Sequence, residues 1–230
     1  MTDPKTDELI IQTIKDKACL KRNVFENLTS QWDKFKDVIQ GYHKNVQDEI
    51  HGFDKRIRAE YNSRGEYDCR LTVGGDTLVF HMHTNVFQFD QTSHVWKTGY
   101  IKEDEGRSFV GIIHIYNFLY DSLKMNRVND LGYMIGRIFI NKDNHFLVEG
   151  KRQMGYLFND FVNNEFTEDQ MKKIIQSALL YTLAFDLYVP PYNEIQMLTV
   201  SQIQELSSDL KIQTGKRLGF QFTGDTPDSE

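Results

Sequence analysis

Hydrophobic positions in the first quarter of the chain recur at the spacing of a helix. Between residues 28 and 57 the large apolar side chains are separated by three or four positions, and charged residues fill the intervals. A helix places such positions on one stripe and the charges on the opposite side. A shorter stripe precedes it, so the pattern predicts two helices. The apolar positions are Leu9, Ile10, Ile14 and Ala18 in the first helix, and Leu28, Trp32, Phe35, Ile39, Tyr42, Val46, Ile50, Phe53 and Ile57 in the second.

After Tyr67 the pattern changes to short runs rich in aromatic and β-branched residues, separated by Gly, Asn, Asp and Ser. This combination is typical of strands joined by tight turns, and an antiparallel meander is their simplest arrangement. Several runs are apolar at almost every position, which indicates a sheet covered on both faces. The predicted strands lie at 67–73, 77–89, 95–101, 108–119, 132–140 and 145–152.

A second helical region follows the sheet. Thr167 and Gln170 have the spacing of a capping box, in which Thr167 accepts from the amide of Gln170 and Gln170 reciprocates. We expect this helix to continue through Leu187 and to end before Pro190. A weaker helix is predicted at 201–210.

These patterns predict an α+β fold, in which an N-terminal helical section and a later helix pack on a meandering antiparallel β-sheet. They divide the chain into a two-helix section at residues 1–64, an α+β domain at 65–222 and a flexible acidic tail at 223–230.

The long stripe raises a question of size. One unbroken helix over residues 24–62 would be about 58 Å long, whereas a globule of this chain length is about 45 Å across. We therefore expect the helix to break at Gly41 or Gly52, each of which costs about 1 kcal/mol in a helix, or to project. Its aromatic residues favour packing on the sheet of the same chain. The alternative is that residues 24–62 join copies of the chain into a homo-oligomer.

Composition and charge exclude several classes. The formal net charge is −6, and nucleic-acid binding needs a Lys- and Arg-rich face, so nucleic acid is not an expected partner. Apolar stretches run to about twelve residues, short of the roughly 20 that cross a bilayer, so no membrane span is expected. Cys19 and Cys69 do not form a disulfide framework, and no basic-then-apolar leader precedes them. A cytoplasmic location is therefore expected.

The most distinctive chemical motif is His81-Met82-His83 within a predicted strand. Alternation along the strand places both imidazoles on one face, about 7 Å apart. Together they could bind a divalent transition metal if a third ligand came from another strand, where His114 is the best candidate and His94 and Glu149 are further ones. The alternative is that these histidines are exposed or hydrogen-bonded residues of a packed sheet.

A second motif is the strand that ends at Glu149, Gly150 and Lys151. It is similar to the strand of PD-(D/E)xK nucleases that presents a carboxylate to a divalent ion and a lysine to the reacting water. The preceding strand carries Arg137 where a second acid would be needed. The alternative is a strand end with Glu149 and Lys151 as a charge pair on one face.

The common signatures of hydrolase, nucleotide and zinc-protease sites do not occur in the sequence. We therefore expect a non-catalytic cytoplasmic protein, without a cofactor, that binds a small molecule or a protein on an aromatic- and histidine-lined sheet face. The expected ligand-binding residues are His81, His83, His114 and Tyr116. The alternative function is a metal-dependent hydrolase or nuclease that uses either the three histidines or Glu149 and Lys151.

Overall fold

The structure is a computed structural model that describes residues 4–186 and, beyond them, residues 189, 192, 196, 197 and 199–201. It contains a long N-terminal helix, a seven-stranded antiparallel sheet and a later helix, which confirms the predicted α+β class. The helices are α1 (Pro4–Phe53), α2 (Gly99–Glu103), α3 (Tyr120–Lys124), α4 (Gln153–Leu157) and α5 (Glu168–Leu183), and the strands are β1 (Ala59–Ser63), β2 (Asp68–Val73), β3 (Asp76–Met82), β4 (Phe87–Gln88), β5 (Phe109–Leu119), β6 (Tyr133–Asn141) and β7 (Phe146–Gly150).

The strands follow the order β1-β2-β3-β5-β6-β7, with the short β4 paired to β5 beside β3. Every pairing is antiparallel, as the meander predicts. The predicted strand at 77–89 is divided, because the chain leaves the sheet after Met82. There the backbone amide of Asn85 donates to Nδ1 of His83, which closes a turn before β4.

The prediction of a strand at 95–101 is wrong. This segment forms a 3-10 helix, His94–Lys97, followed by α2. The Thr98 side chain accepts from the amide of Ile101 and caps α2, while the indole of Trp96 donates to the carbonyl of Phe89. These local hydrogen bonds replace a strand ladder, and the apolar side chains of Val95 and Ile101 remain buried.

The prediction of two N-terminal helices is also wrong, because α1 is one helix of 50 residues, about 75 Å long. No Gly or Pro lies between Cys19 and Val24, so the chain has no residue there that would end a helix. The helix also continues through Gly41. It ends at Phe53, next to Gly52, and its first part projects beyond the globule.

Residues 54–63 do not continue the helix. The carboxylate of Asp54 accepts from the amide and the guanidinium of Arg56, which stabilises a turn directly after α1. The chain then enters β1, which pairs with β2 at the edge of the sheet. The helical part therefore ends eleven residues before the predicted boundary at residue 64. The division into 1–64 and 65–222 stays a prediction.

The middle of α1 covers the inner face of the sheet. Leu28, Trp32, Phe35 and Ile39 are fully buried in one cluster with residues of β2, β3, β5, β6, β7 and α5. The Trp32 indole donates to the carbonyl of Glu66 at 2.7 Å. The middle of the apolar stripe therefore packs against the sheet of the same chain.

Helix α5 lies beside α1 in the same core. As predicted, the Thr167 side chain accepts from the amide of Gln170, at 3.4 Å. The helix ends at Leu183 rather than Leu187, with the amide of Ala184 bonded to the carbonyls of Leu180 and Thr182. The predicted helix at 201–210 lies outside the described residues except for its first position, and the tail at 223–230 lies entirely outside them.

Among the described residues, no helix combines the length and the apolar character that a bilayer crossing requires.

Candidate functional site

Strand register aligns five polar side chains in a row across the outer face of the sheet, the face opposite α1. Asp68 on β2 lies opposite His81 on β3, and His81 lies opposite His114 on β5. His114 lies opposite Arg137 on β6, which in turn lies opposite Glu149 on β7. Directly opposed residues share a face, so the five side chains form one continuous row.

A second outer row runs beside the first. It takes Tyr116 from β5 and Met134 from β6, which lie opposite each other. A register shift between Ile115 and Tyr116 leaves Ile135 as the extra residue of β6, and its side chain is buried in the inner core. The bulge therefore turns Met134 outward, where it is 40% exposed.

The histidine rings form an aromatic cluster on this face. His83 packs edge-to-face against His114, with ring centroids 6.1 Å apart, and against Phe87 at 4.8 Å. His114 also packs against Tyr116 at 5.8 Å. We call this surface the histidine band; it consists of His81, His83, Phe87, His114, Tyr116, Met134 and Arg137.

The band lies between two covered parts of the outer face. At one end, Val95 and Ile101 pack over β5, β6 and β7 in a second apolar cluster. At the other end the loop after α3 covers Phe118, and a Cβ on Gly132 would come within 2.5 Å of Cε1 of that ring. Within the described residues, the intervening band is partly open to solvent: His81, Phe87 and Met134 are exposed, and its other members are half-buried.

Charged residues at the edge of the band and beside it are already paired with each other. The guanidinium of Arg137 donates to the carboxylate of Glu149, and its cationic carbon lies 5.1 Å from the centre of the Phe139 ring. On β2, Nε of Arg70 lies 3.6 Å from Oδ1 of Asp68. The centre of the band is therefore aromatic, and its edges carry neutralised charge.

The residues of the nuclease alternative are not arranged as a catalytic pair. Glu149 is paired with Arg137 and not with Lys151. The amide of Lys151 still donates to the sheet, at the carbonyl of Ile135, while its side chain is exposed. In the described sheet, the position directly opposite Glu149 holds Arg137 and not a second carboxylate.

The three histidines lie on one face, where His83 and His114 pack against each other. Metal binding needs nitrogen lone pairs that converge on one point, whereas His83 and His114 meet edge to face. Within the described residues, no group of three or more His, Cys, Asp and Glu side chains is arranged to hold a metal ion.

The pKa of His114 is lowered from its ordinary value of 6.5. Burial is the main cause, followed by the nearby charges of His83, His81 and Arg137. A lowered histidine pKa favours the neutral ring in the folded protein, which suits a ring packed against two other aromatic groups.

This shift predicts a pH-dependent stability. The unfolded chain takes up the His114 proton near pH 6.5 and the folded chain only at lower pH, so stability is lost as pH falls from 6.5 through the folded-state pKa. We expect His114→Gln to flatten this fall, measured as the melting temperature between about pH 7.5 and pH 5. The exposed His94→Gln should follow the wild-type profile, and an unchanged slope in His114→Gln would exclude His114 as the source.

The structure brings the four predicted ligand-binding residues together in one surface. Sequence analysis missed Phe87 and Met134, and it noted Arg137 only as an obstacle to catalysis. These three residues belong to the band because of strand register and the bulge in β6. The only local feature that pointed to them was the alternation of side chains within each strand.

Two shallow depressions occur on the surface of the described residues. One, of about 280 Å³, lies beside the band, between Arg137, Glu149 and Lys151. The other, of about 270 Å³, lies between α1 and the start of α5, lined by Gln31 and Thr167 among others. Both fall just below the roughly 300–1,000 Å³ of usual small-molecule pockets.

Comparison with known proteins gave no match: no family model fits the chain, and no curated protein or solved structure is significantly similar to it.

Proposed function

We propose that this chain is a non-catalytic cytoplasmic binding protein, and that the histidine band contacts a protein partner. The observation that carries the proposal is a partly exposed aromatic surface that four strands hold in register, between two covered parts of the same sheet face. The free thiols of Cys19 and Cys69 suit a reducing compartment.

The composition of the band supports binding. Protein interfaces are enriched in Tyr, Phe, Met and Arg and depleted in Lys, Glu and Asp at their centres. The band has this composition, and its acidic neighbours Asp68 and Glu149 lie at the margins, each paired to an arginine. Paired charges at the rim leave the aromatic centre free to lose water when a partner binds.

The shape of the band favours a protein over a small molecule. Small ligands bind in concave sites that enclose most of their surface. The band is instead a sheet surface with a shallow depression at one edge. A flat partner surface, such as another domain, can contact several strands at once, whereas a small molecule would remain largely in solvent.

The proposal predicts crosslinking from the band in cells. His81 is exposed, so it is a suitable position for the photoreactive residue p-benzoylphenylalanine. The full chain with this substitution is expressed in its native host. We expect irradiation to produce one dominant adduct with a second, different protein, identified by mass spectrometry. The matched control carries the same residue at Phe53, which is 88% exposed and lies at the end of α1.

A dominant adduct from position 81 that is missing from position 53 supports the proposal. It is contradicted by equal adducts at both positions, by no protein adduct at position 81, or by an adduct formed with a second copy of this chain.

A further inference from the structure

The first part of α1 extends beyond the globule. Residues 5–19 are exposed, and Val24 is the first fully buried residue of the helix. This projecting segment is about 22 Å long at 1.5 Å per residue. It carries four large aliphatic side chains in solvent, which are Leu9 at 68% exposure, Ile10 at 49%, Ile11 at 51% and Ile14 at 60%.

One side of the projecting segment has a symmetric pattern. Asp7, Ile10, Ile14, Ala18 and Lys21 follow one another at steps of three, four, four and three, so a helix places them on one side. Counted from Ile14, the steps are the same in both directions. The pattern begins with an acid, Asp7, and ends with a base, Lys21.

We propose that this side pairs with a second copy of the chain, antiparallel, about a two-fold axis at Ile14. Ile14 then packs against itself, and Ile10 packs against Ala18 of the second copy, a large residue against a small one. Asp7 meets Lys21 of the second copy at both ends of the contact. A two-fold contact requires such a self-complementary surface.

Charge favours this orientation. In a parallel pair Asp7 would face Asp7 and Lys21 would face Lys21, so both ends of the contact would repel. The antiparallel overlap of residues 7–21 also matches the length of helix that lies outside the fold. The contact is distinct from self-association through residues 24–62, because Leu28 and Ile39 are already buried inside the chain.

An anionic membrane surface is the alternative binding partner for a projecting amphipathic helix. Helices that lie on membranes concentrate Lys and Arg on the polar face and bury Trp, Phe or Leu in the lipid. Here Asp7 lies on the apolar side itself, and residues 5–19 carry as many acids, Asp7, Glu8 and Asp16, as lysines, so the segment lacks the basic excess of such helices. These acids favour the second copy of the chain.

Sedimentation equilibrium of the full chain tests the pairing. We expect a mass near twice 27.0 kDa, with dissociation on dilution. Ile14→Asp should raise the dissociation constant by more than about a hundredfold, because two carboxylates would face each other at the axis. The control is Gln12→Asp, which adds the same charge on the opposite side of the helix and should remain a dimer. All of these positions are exposed, so the substitutions should not prevent folding.

A charge exchange tests the orientation. Asp7→Lys should weaken the dimer about tenfold, because two ion pairs are lost together and become repulsive, and adding Lys21→Asp should restore it. A wild-type chain that stays monomeric overturns the proposal, as does an Ile14→Asp dimer of unchanged affinity or a failure of Lys21→Asp to restore pairing. Sedimentation of the monomer with phosphatidylserine vesicles would assign the segment to a membrane surface instead.

Discussion

Phe35→Ala is expected to lower the free energy of unfolding by about 3–5 kcal/mol. The Phe35 side chain is fully buried between α1 and the sheet, where its ring lies edge-on to Phe80, with centroids 5.4 Å apart, and packs against Phe166 at 5.7 Å. Removing the ring leaves a cavity among three elements that cannot close without moving α1. Chemical denaturation, followed by circular dichroism, measures the loss.

Replacing a phenylalanine by alanine at the end of α1 is the control. Phe53 is the last residue of α1 and is 88% exposed, so Phe53→Ala should change the free energy of unfolding by no more than about 0.5 kcal/mol. Equal effects at the two positions would mean that the middle of α1 does not pack on the sheet as described.

Gly111→Ala is expected to destabilise the protein by about 1–3 kcal/mol. Gly111 lies on β5 where α1 crosses the sheet, and a Cβ added there would come within 2.8 Å of Cγ of Leu28. Leu28 is fully buried and cannot swing into solvent. The absence of a side chain at Gly111 therefore sets how closely the helix approaches the strand.

A double substitution separates this contact from the general cost of replacing glycine. In a Leu28→Ala background the space above residue 111 is empty, so Gly111→Ala should cost much less than in the wild type. The coupling is measured from denaturation curves of the four chains. Additive effects would show that Gly111 and Leu28 do not meet.

Local signals explain why much of the fold could be predicted from the sequence. The steps of three and four through Trp32 and Phe35 predict a helix with a buried side, and the Thr167 cap predicts the start of α5. The single long helix was not predicted, because the stripe from Leu9 to Ala18 and the stripe that begins at Leu28 indicated two separate helices. Strand β1 was missed because Tyr61 lies four positions after Ile57 and so continues the spacing of the helix before it.

The site was predictable only in part. Alternation placed His81 and His83 on one face, and it put His114 and Tyr116 on one face of their own strand. Nothing local indicated that these faces coincide, or that Arg137 would pair with Glu149, because both depend on register between strands that are distant in sequence. The packing of His114 against its neighbours depends on the same register.

The yield of the crosslinked adduct from position 81 in an Arg137→Ala chain tests the central claim most directly. Arg137 lies within the band, two strands from His81, and its ion pair with Glu149 is exposed, so the fold should tolerate its loss. We predict a melting temperature close to that of the wild type and an adduct yield that falls several-fold. An undiminished yield of the same adduct would contradict the account, because the partner would then not contact the band.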